Sequence, residues 1–116
     1  MIPLNKDAIQ KEMVDAWFAK WETLRESIHH SHESRDGQAK QLMEQGISLF
    51  ETFIIQGSIT ELKEIDGNIE FELMPLNGRE RLMFIKMKPG QYACYRQLDE
   101  LFKETKKRMA RLRLKA

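Results

Sequence analysis

The fold of this chain depends on how residues 58–88 are read, and they run SITELKEIDGNIEFELMPLNGRERLMFIKMK. Two dipeptides within them, Asp66-Gly67 and Asn77-Gly78, tolerate the positive φ angles of type I′ hairpin turns. Apolar and polar residues alternate on either side of the turns, which is the period of a strand with one buried face. The stretch therefore predicts a three-stranded antiparallel meander. Its strands lie at about 58–65, 69–74 and 80–88.

Two-residue turns fix the register of this sheet and assign each side chain to a face. One face is mostly apolar and is expected to pack on the core; it carries Leu62, Ile69, Phe71, Leu73, Leu82 and Phe84. The opposite face carries Glu70 and Glu72 on the second strand and Met83, Ile85 and Met87 on the third. A four-residue loop at 77–80 would instead exchange the faces of Leu82 and Met83.

The third strand is apolar on both faces, and such a strand normally has something covering each of them. A helix of the same chain, a second copy of the chain or a different protein could cover its outer face. We expect this face to be the surface through which the protein makes its contacts.

Helical periodicity flanks the meander on both sides, with apolar residues recurring every three to four positions. The three helices extend over about 5–32, 36–55 and 91–113. Gly46 lies inside the second helix at a cost of ~1 kcal/mol relative to Ala, which predicts close approach of a neighbour such as a Trp ring. The predicted architecture is α+β, one globular domain over 1–116 in the order α-α-β-β-β-α.

Composition indicates an ordinary globular chain. Hydrophobic residues make up 41% of it and charged residues 32%, which is too apolar for a disordered protein. The single Cys94 excludes an internal disulfide and fits a reducing cytoplasm, and its place on the apolar arc of the last helix predicts a buried, inert thiol. No run approaches the ~18 apolar residues that span a bilayer. We expect a cytoplasmic protein without a transmembrane segment.

Signatures of catalysis are missing from the sequence, which has no G-x-S-x-G, Walker loop, H-E-x-x-H or Gly-rich dinucleotide fingerprint. His29, His32 and Glu33 have a spacing that can chelate a transition metal if the first helix reaches them. A closed zinc site needs about four ligands and no Cys lies nearby, so we expect a polar helix end there instead. Neither enzymatic activity nor a cofactor is predicted.

The last helix is strongly basic, since residues 101–116 carry seven Lys or Arg against one Glu. The cations that could act together are Lys103, Lys106, Lys107 and Arg111. Such a helix can neutralise the phosphates of nucleic acid or lie on an anionic membrane. It can equally be a solvated face that complements the helix dipole. No base-stacking aromatic residues accompany the charge.

These patterns together favour a small non-enzymatic interaction or adaptor protein. Its predicted interface is the outer face of the third strand, formed by Met83, Ile85 and Met87 beside Glu70 and Glu72. The expected partner is a second copy, giving a homodimer, or another protein. The alternative is a nucleic-acid-binding module that uses the basic C-terminal helix.

Overall fold

The computed structural model describes residues 1–66 and 68–115, and its regular elements are helices. A short 3-10 helix, Lys6–Ile9, precedes four α-helices. These are α1 (Lys11–Ser34), α2 (Ala39–Gln56), α3 (Gly78–Met87) and α4 (Tyr92–Arg113). Over the described ranges no strand forms, and β pairing is limited to isolated bridges from Ile2 to Phe71 and from Leu4 to Ser58. The predicted α+β class and its three-stranded meander are therefore wrong.

The three long helices lie where apolar periodicity predicts them, with shifted ends. Asn5 accepts a capping hydrogen bond from the Asp7 amide (3.2 Å) and so caps the 3-10 helix, whereas α1 begins only after the extended Gln10. At its other end α1 continues to Ser34 and stops at Arg35, which adopts the left-handed conformation. None of these helices is long and apolar enough to cross a membrane, among the residues described.

The core lies where α1, α2 and α4 meet, and aromatic rings fill its centre. Trp21 of α1 stacks on Phe102 of α4 with ring centroids 4.3 Å apart and planes 3° from parallel. Phe50 of α2 meets the same Phe102 ring edge-on at 5.2 Å. The two Trp residues of α1 therefore serve packing, because Trp17 also stacks on a ring of α2, that of Phe53, at 4.7 Å.

Gly46 brings α2 close to this aromatic centre. A Cβ built at Gly46 would lie 2.8 Å from Cζ3 of Trp21 and 3.2 Å from Cδ2 of Leu98. The sequence-based prediction that a Trp ring approaches this glycine is confirmed. The close contact between helices thus requires glycine at this position. The approach of α2 to the Trp21 ring offsets the unfavourable helix propensity of Gly46.

Gly46→Ala should lower the free energy of unfolding by up to about 2 kcal/mol, measured by urea denaturation. Over-packing a tight core costs about 1–3 kcal/mol, which exceeds the ~1 kcal/mol that Ala gains in helix propensity. Gly90→Ala is the matched control, because its Cβ would make an ordinary contact 3.5 Å from Cβ of Lys40. A stabilised Gly46→Ala variant would contradict the close approach.

Residues of the predicted third strand form α3 instead. Asn77 does adopt a positive φ of 57°, but the residues that follow it continue as helix from Gly78. Within α3, Leu82 and Ile85 are three positions apart and both are fully buried. The Asn-Gly pair therefore starts a helix here rather than closing a hairpin.

Two ion pairs hold α3 to the rest of the chain. Arg81 donates both guanidinium nitrogens to the carboxylate of Glu104 on α4, at 3.1 and 2.6 Å. Lys86 donates to Glu51 on α2 at 2.8 Å. A bidentate Arg–carboxylate pair adds orientation as well as attraction. These contacts fix which side of α3 faces inward.

The predicted first and second strands are replaced by an irregular connection between α2 and α3. Its conformation depends on the N-terminal residues 2–5, which we call the N-terminal clasp. The amide of Ile2 donates to the carbonyl of Glu70 (2.8 Å) and its carbonyl accepts from the amide of Glu72 (2.9 Å). The side chain of Asp66 accepts a hydrogen bond from the Asn68 amide at 2.7 Å. The conformation predicted for Gly67 lies outside the described residues.

The predicted core face of the meander is only partly right. Phe71, Leu73 and Leu82 are buried and Ile69 is half-buried. Leu62 and Phe84, by contrast, are exposed. Ile85, which the strand register placed on the outer face, is in the core. The faces differ because side chains alternate along a strand but recur every three to four residues along a helix.

Candidate protein interface on α3

The solvent side of α3 carries two large apolar side chains. Phe84 is 54% exposed and Met87 is 76% exposed, although Ile85 between them is fully buried. Residues three apart on a helix lie on the same side, so these two side chains are neighbours. Single exposed apolar residues are ordinary on a protein surface, whereas adjacent large ones indicate a contact site. We call Phe84 and Met87 the α3 patch.

Charged residues of opposite sign precede and follow the α3 patch in sequence. Glu80 lies one turn before Phe84 on α3, whereas Lys88 follows the end of the helix with a φ of −142°, and both are exposed. Glu80 accepts a hydrogen bond from Nε of Arg79 at 2.9 Å, which lowers the pKa of Glu80 and keeps it ionised at neutral pH. The acidic charge at the start of α3 is therefore balanced by the Arg79 guanidinium.

A cavity of about 500 Å³ adjoins Met87. It lies between α2 and residues 63–64 of the connection. The Glu51–Lys86 ion pair forms part of its wall, and Glu51 also accepts from the amide of Ile65 at 3.1 Å. The Glu51 carboxylate is therefore already engaged by two donors of its own chain. The cavity gives the α3 patch a concave border.

The residues of the predicted interface do not share one surface. Met87 is exposed, Met83 is half-buried and packs against the core, and Ile85 is fully buried. Glu70 is exposed and lies 3.6 Å from Arg79, while Glu72 accepts from the amide of Leu4 in the N-terminal clasp at 3.0 Å. Of the predicted interface residues, the α3 patch therefore contains only Met87, and its other member is Phe84.

Sequence reasoning missed Phe84 because it was assigned to the core side of a strand. A signal for the correct face exists in the sequence. Leu82 and Ile85 form an apolar i, i+3 pair, and if they face inward on a helix, Phe84 and Met87 face outward.

The four cations proposed for nucleic-acid binding are not equally available. Lys103 lies 3.0 Å from Oδ2 of Asp99, and Lys106 sits 4.4 Å above the Phe18 ring. Lys107 and Arg111 are exposed, with no ion pair to another part of the described chain. Two of the four cations are therefore held against the protein's own surface.

Asp99 of α4 is a buried carboxylate that faces α1. Its Oδ1 accepts from Nε1 of Trp21 and from Nη1 of Arg25, each at 3.0 Å. Burial by itself raises the pKa of Asp99, but these hydrogen bonds and that of Lys103 outweigh burial and lower the pKa below its ordinary value. The ionised carboxylate links α1 to α4, and its hydrogen-bond donors are side chains of the same chain.

The three candidate metal ligands do not converge. His29 pairs with Glu33 at 2.8 Å, whereas the His32 ring packs against Tyr92 and Tyr95 with centroids 5.2 and 5.9 Å away. Within residues 1–66 and 68–115, no group of three or more His, Cys, Asp or Glu side chains could hold a metal ion.

Cys94 is buried in α4, as the apolar arc predicts. Burial raises the pKa of its thiol above the ordinary value, so the unreactive protonated form dominates at neutral pH.

Comparison with known proteins identifies the chain's family. A family model described as YpoC-like protein matches residues 11–116. Over 33 residues the chain is 58% identical to "Uncharacterized protein YpoC" of Bacillus subtilis (strain 168), a match that covers 28% of this chain and 20% of that protein. No solved structure gives a match. Because the family match extends over most of the sequence, the chain belongs to the YpoC-like protein family.

Proposed function

We propose that this chain is a non-enzymatic protein-interaction module that binds its partner through the α3 patch. The observation that carries the proposal is the exposure of Phe84 and Met87 side by side on a helix whose other side is buried. Burying a side chain of this size contributes about 1.5–3 kcal/mol, so covering both is strongly favourable. Aromatic residues and Met are also the types enriched at interface cores.

The interior of the chain supports a binding role rather than chemistry. Catalytic groups need to reach a substrate, and the embedded carboxylates of Asp99 and Glu51 already accept hydrogen bonds from their own chain. The thiol of Cys94 is buried and its pKa is raised. The α3 patch, by contrast, is open to a partner.

Nucleic-acid binding by α4 has less support. A phosphate-binding row gains affinity from several cations acting together. Lys103 and Lys106 are instead engaged by Asp99 and Phe18. Lys107 and Arg111 then remain as the exposed pair of the proposed four.

Site-specific photocrosslinking in cells tests the proposed function. Benzoylphenylalanine replaces Phe84 in one variant and Tyr92 in the control, an aromatic residue of similar exposure. We expect a covalent protein adduct from position 84 and none from position 92, with mass spectrometry identifying the captured chain. Met87→Ser in the same background should lower the yield, because it removes the second member of the α3 patch.

Equal labelling from both positions, or no adduct from position 84, would show that the α3 patch is not an interface. Each variant must retain the helical circular dichroism of the wild type, which position 84 should permit because its side chain points outward.

A further inference from the structure

The last two turns of α4 carry cations that have no carboxylate partner. Lys107 and Arg111 are exposed and Arg108 is half-buried, and none of the three forms an ion pair within the described part of the chain. Residues 105–113 contain no Asp or Glu. Because residues three and four apart are neighbours on a helix, Arg111 lies beside both of the others. We call these three residues the terminal cation cluster.

A main-chain contact holds the guanidinium of Arg108 without cancelling its charge. Its Nε donates to the carbonyl of Glu72 at 2.7 Å. Arg113, the last residue of α4, is held in the same way, since its Nη1 donates to the carbonyl of Ile9 at 3.0 Å. A carbonyl is neutral, and Arg has five N–H donors. Each guanidinium is therefore fixed in place while its full charge stays available to an anion.

Two negative features of α4 lie near the terminal cation cluster, and neither neutralises it. Glu104 lies one turn before Lys107, but its carboxylate accepts from both guanidinium nitrogens of Arg81, at 3.1 and 2.6 Å. The dipole at the end of a helix is equivalent to about half a negative charge. Three cations exceed that amount, so the end of α4 presents a net positive charge to solvent.

We propose that the terminal cation cluster binds the phosphate backbone of double-stranded nucleic acid, without regard to base sequence. This surface is distinct from the α3 patch, and the inference does not rest on the proposed function. Lys107 and Arg111 are about 6 Å apart along the axis of α4. The phosphates of one duplex strand are spaced about 3.4 Å along its axis, so the cations can reach successive phosphates.

The cluster differs from the cationic row expected from the sequence. Lys103 and Lys106 leave the set because Asp99 and Phe18 engage them. Arg108 enters it, because the contact with the Glu72 carbonyl holds its guanidinium beside the two exposed cations.

Two observations favour a duplex over other polyanions. An amphipathic helix binds a membrane by burying its apolar face in lipid, but the apolar face of α4 is already buried in the core, including Leu101, Phe102 and Met109. Proteins that bind single strands stack the bases on aromatic rings, and residues 103–113 contain no aromatic residue. Recognition by charge remains, and contacts of this kind position a protein on a duplex without reading its sequence.

The terminal cation cluster and the α3 patch lie toward opposite ends of α4. Met87 comes shortly before Tyr92, the first residue of α4, whereas the cluster begins at Lys107 near the other end of the helix. At 1.5 Å per residue, Tyr92 and Lys107 are about 22 Å apart along the axis. Both surfaces can therefore be occupied at once.

Fluorescence anisotropy of a labelled duplex of about 20 base pairs, titrated with the full chain at several salt concentrations, tests the inference. We expect the logarithm of the binding constant to fall against the logarithm of salt concentration with a slope of about −2 to −3, since each neutralised phosphate contributes about −0.9. Lys107→Ala and Arg111→Ala should each make the slope shallower by about 0.9 and weaken binding about tenfold at about 50 mM salt. Arg111→Lys keeps the charge and should retain the slope.

Lys40→Ala is the matched control for these variants. Lys40 is an exposed cation of α2 that lies beside Gly90, before the start of α4. Its replacement changes the net charge by the same amount and should leave the salt slope unchanged. Lys107, Arg111 and Lys40 are all exposed, so each variant should retain the helical circular dichroism of the wild type.

Three results would overturn the inference. One is a wild-type chain that shows no duplex binding up to about 500 μM at about 50 mM salt, since non-specific binding is typically tighter than this even at physiological salt. Another is an equal loss from Lys40→Ala, which would show that net charge alone governs binding. The third is tighter binding to phosphatidylserine vesicles or to a single-stranded oligonucleotide than to the duplex, which would assign the cluster to a different polyanion.

Discussion

Ile85→Asp should lower the free energy of unfolding by more than about 4 kcal/mol, whereas Phe84→Asp should lower it by about 1 kcal/mol at most. The two residues are neighbours in sequence, but Ile85 is fully buried and Phe84 is more than half exposed. A carboxylate at position 85 would be placed in the core without a partner, while one at position 84 reaches water. Urea denaturation followed by circular dichroism measures both values.

The same pair of variants distinguishes the helix found in the structure from the strand that the sequence predicts. The strand register places Phe84 inward and Ile85 outward, so it predicts the opposite order of stabilities. Ile85→Val is the control for the site, with an expected loss of about 0.5–1.5 kcal/mol from the missing methylene group. A folded Ile85→Asp together with an unfolded Phe84→Asp would contradict the structure of α3.

Asp99→Ala should destabilise the chain by about 2–4 kcal/mol. The substitution leaves Nε1 of the fully buried Trp21 without its acceptor and removes the carboxylate that pairs with Arg25 and Lys103. Glu22→Ala is the matched control, because Glu22 is an exposed second partner of Arg25 at 3.6 Å. Its loss should change stability by less than about 0.5 kcal/mol. Equal effects of the two variants would show that the Asp99 contacts are not specific.

The stability gap between the wild type and Asp99→Ala should also depend on pH in a defined direction. The pKa of Asp99 is lower in the folded chain than its ordinary value, so folding favours the ionised form. This contribution is fully present above the unfolded pKa of about 3.9 and is lost as the pH falls through the folded value. The gap measured by urea denaturation should therefore be constant near neutral pH and shrink below about pH 4. A gap that widens in acid would contradict the sign.

The long helices could be predicted because their apolar residues repeat at one period over many turns. The apolar repeats of α1, α2 and α4 are long enough to identify each helix even where its end residues are ambiguous. A glycine inside such a repeat is unfavourable, so Gly46 indicated close packing against a neighbour. The 3-10 helix before α1 could not be foreseen in this way. Asn5 is a good cap for either kind of helix, and only the extended Gln10 separates them.

α3 was mistaken for a strand because its apolar residues are continuous from Leu82 to Ile85. Such a run fits a buried strand and a short helix equally, and the Asn77-Gly78 pair then favoured a hairpin. The contacts that hold α3 as a helix are made with residues distant in sequence. Glu104 is 23 residues from Arg81, and Glu51 is 35 residues from Lys86.

The candidate site inherited this error. Because the strand register inverts the face, it places Met87 on the exposed side but puts Phe84 on the buried side. The contacts of Lys103 with Asp99 and of Lys106 with Phe18 could not be predicted either. A row of cations has the same sequence pattern whether or not its members are paired.

The N-terminal clasp has a consequence for the order in which the molecule folds and opens. The hydrogen bond from the Leu4 amide to Glu72 joins residues 68 positions apart, so closing it requires a long loop to be ordered. The adjacent α1–α2 hairpin closes a far shorter loop. We therefore expect the helices to assemble before the clasp forms, and the clasp to open first in the native ensemble. Hydrogen exchange should then be fast at Ile2 and Glu72 while the α1, α2 and α4 amides remain protected, because that partly open state keeps the aromatic centre intact.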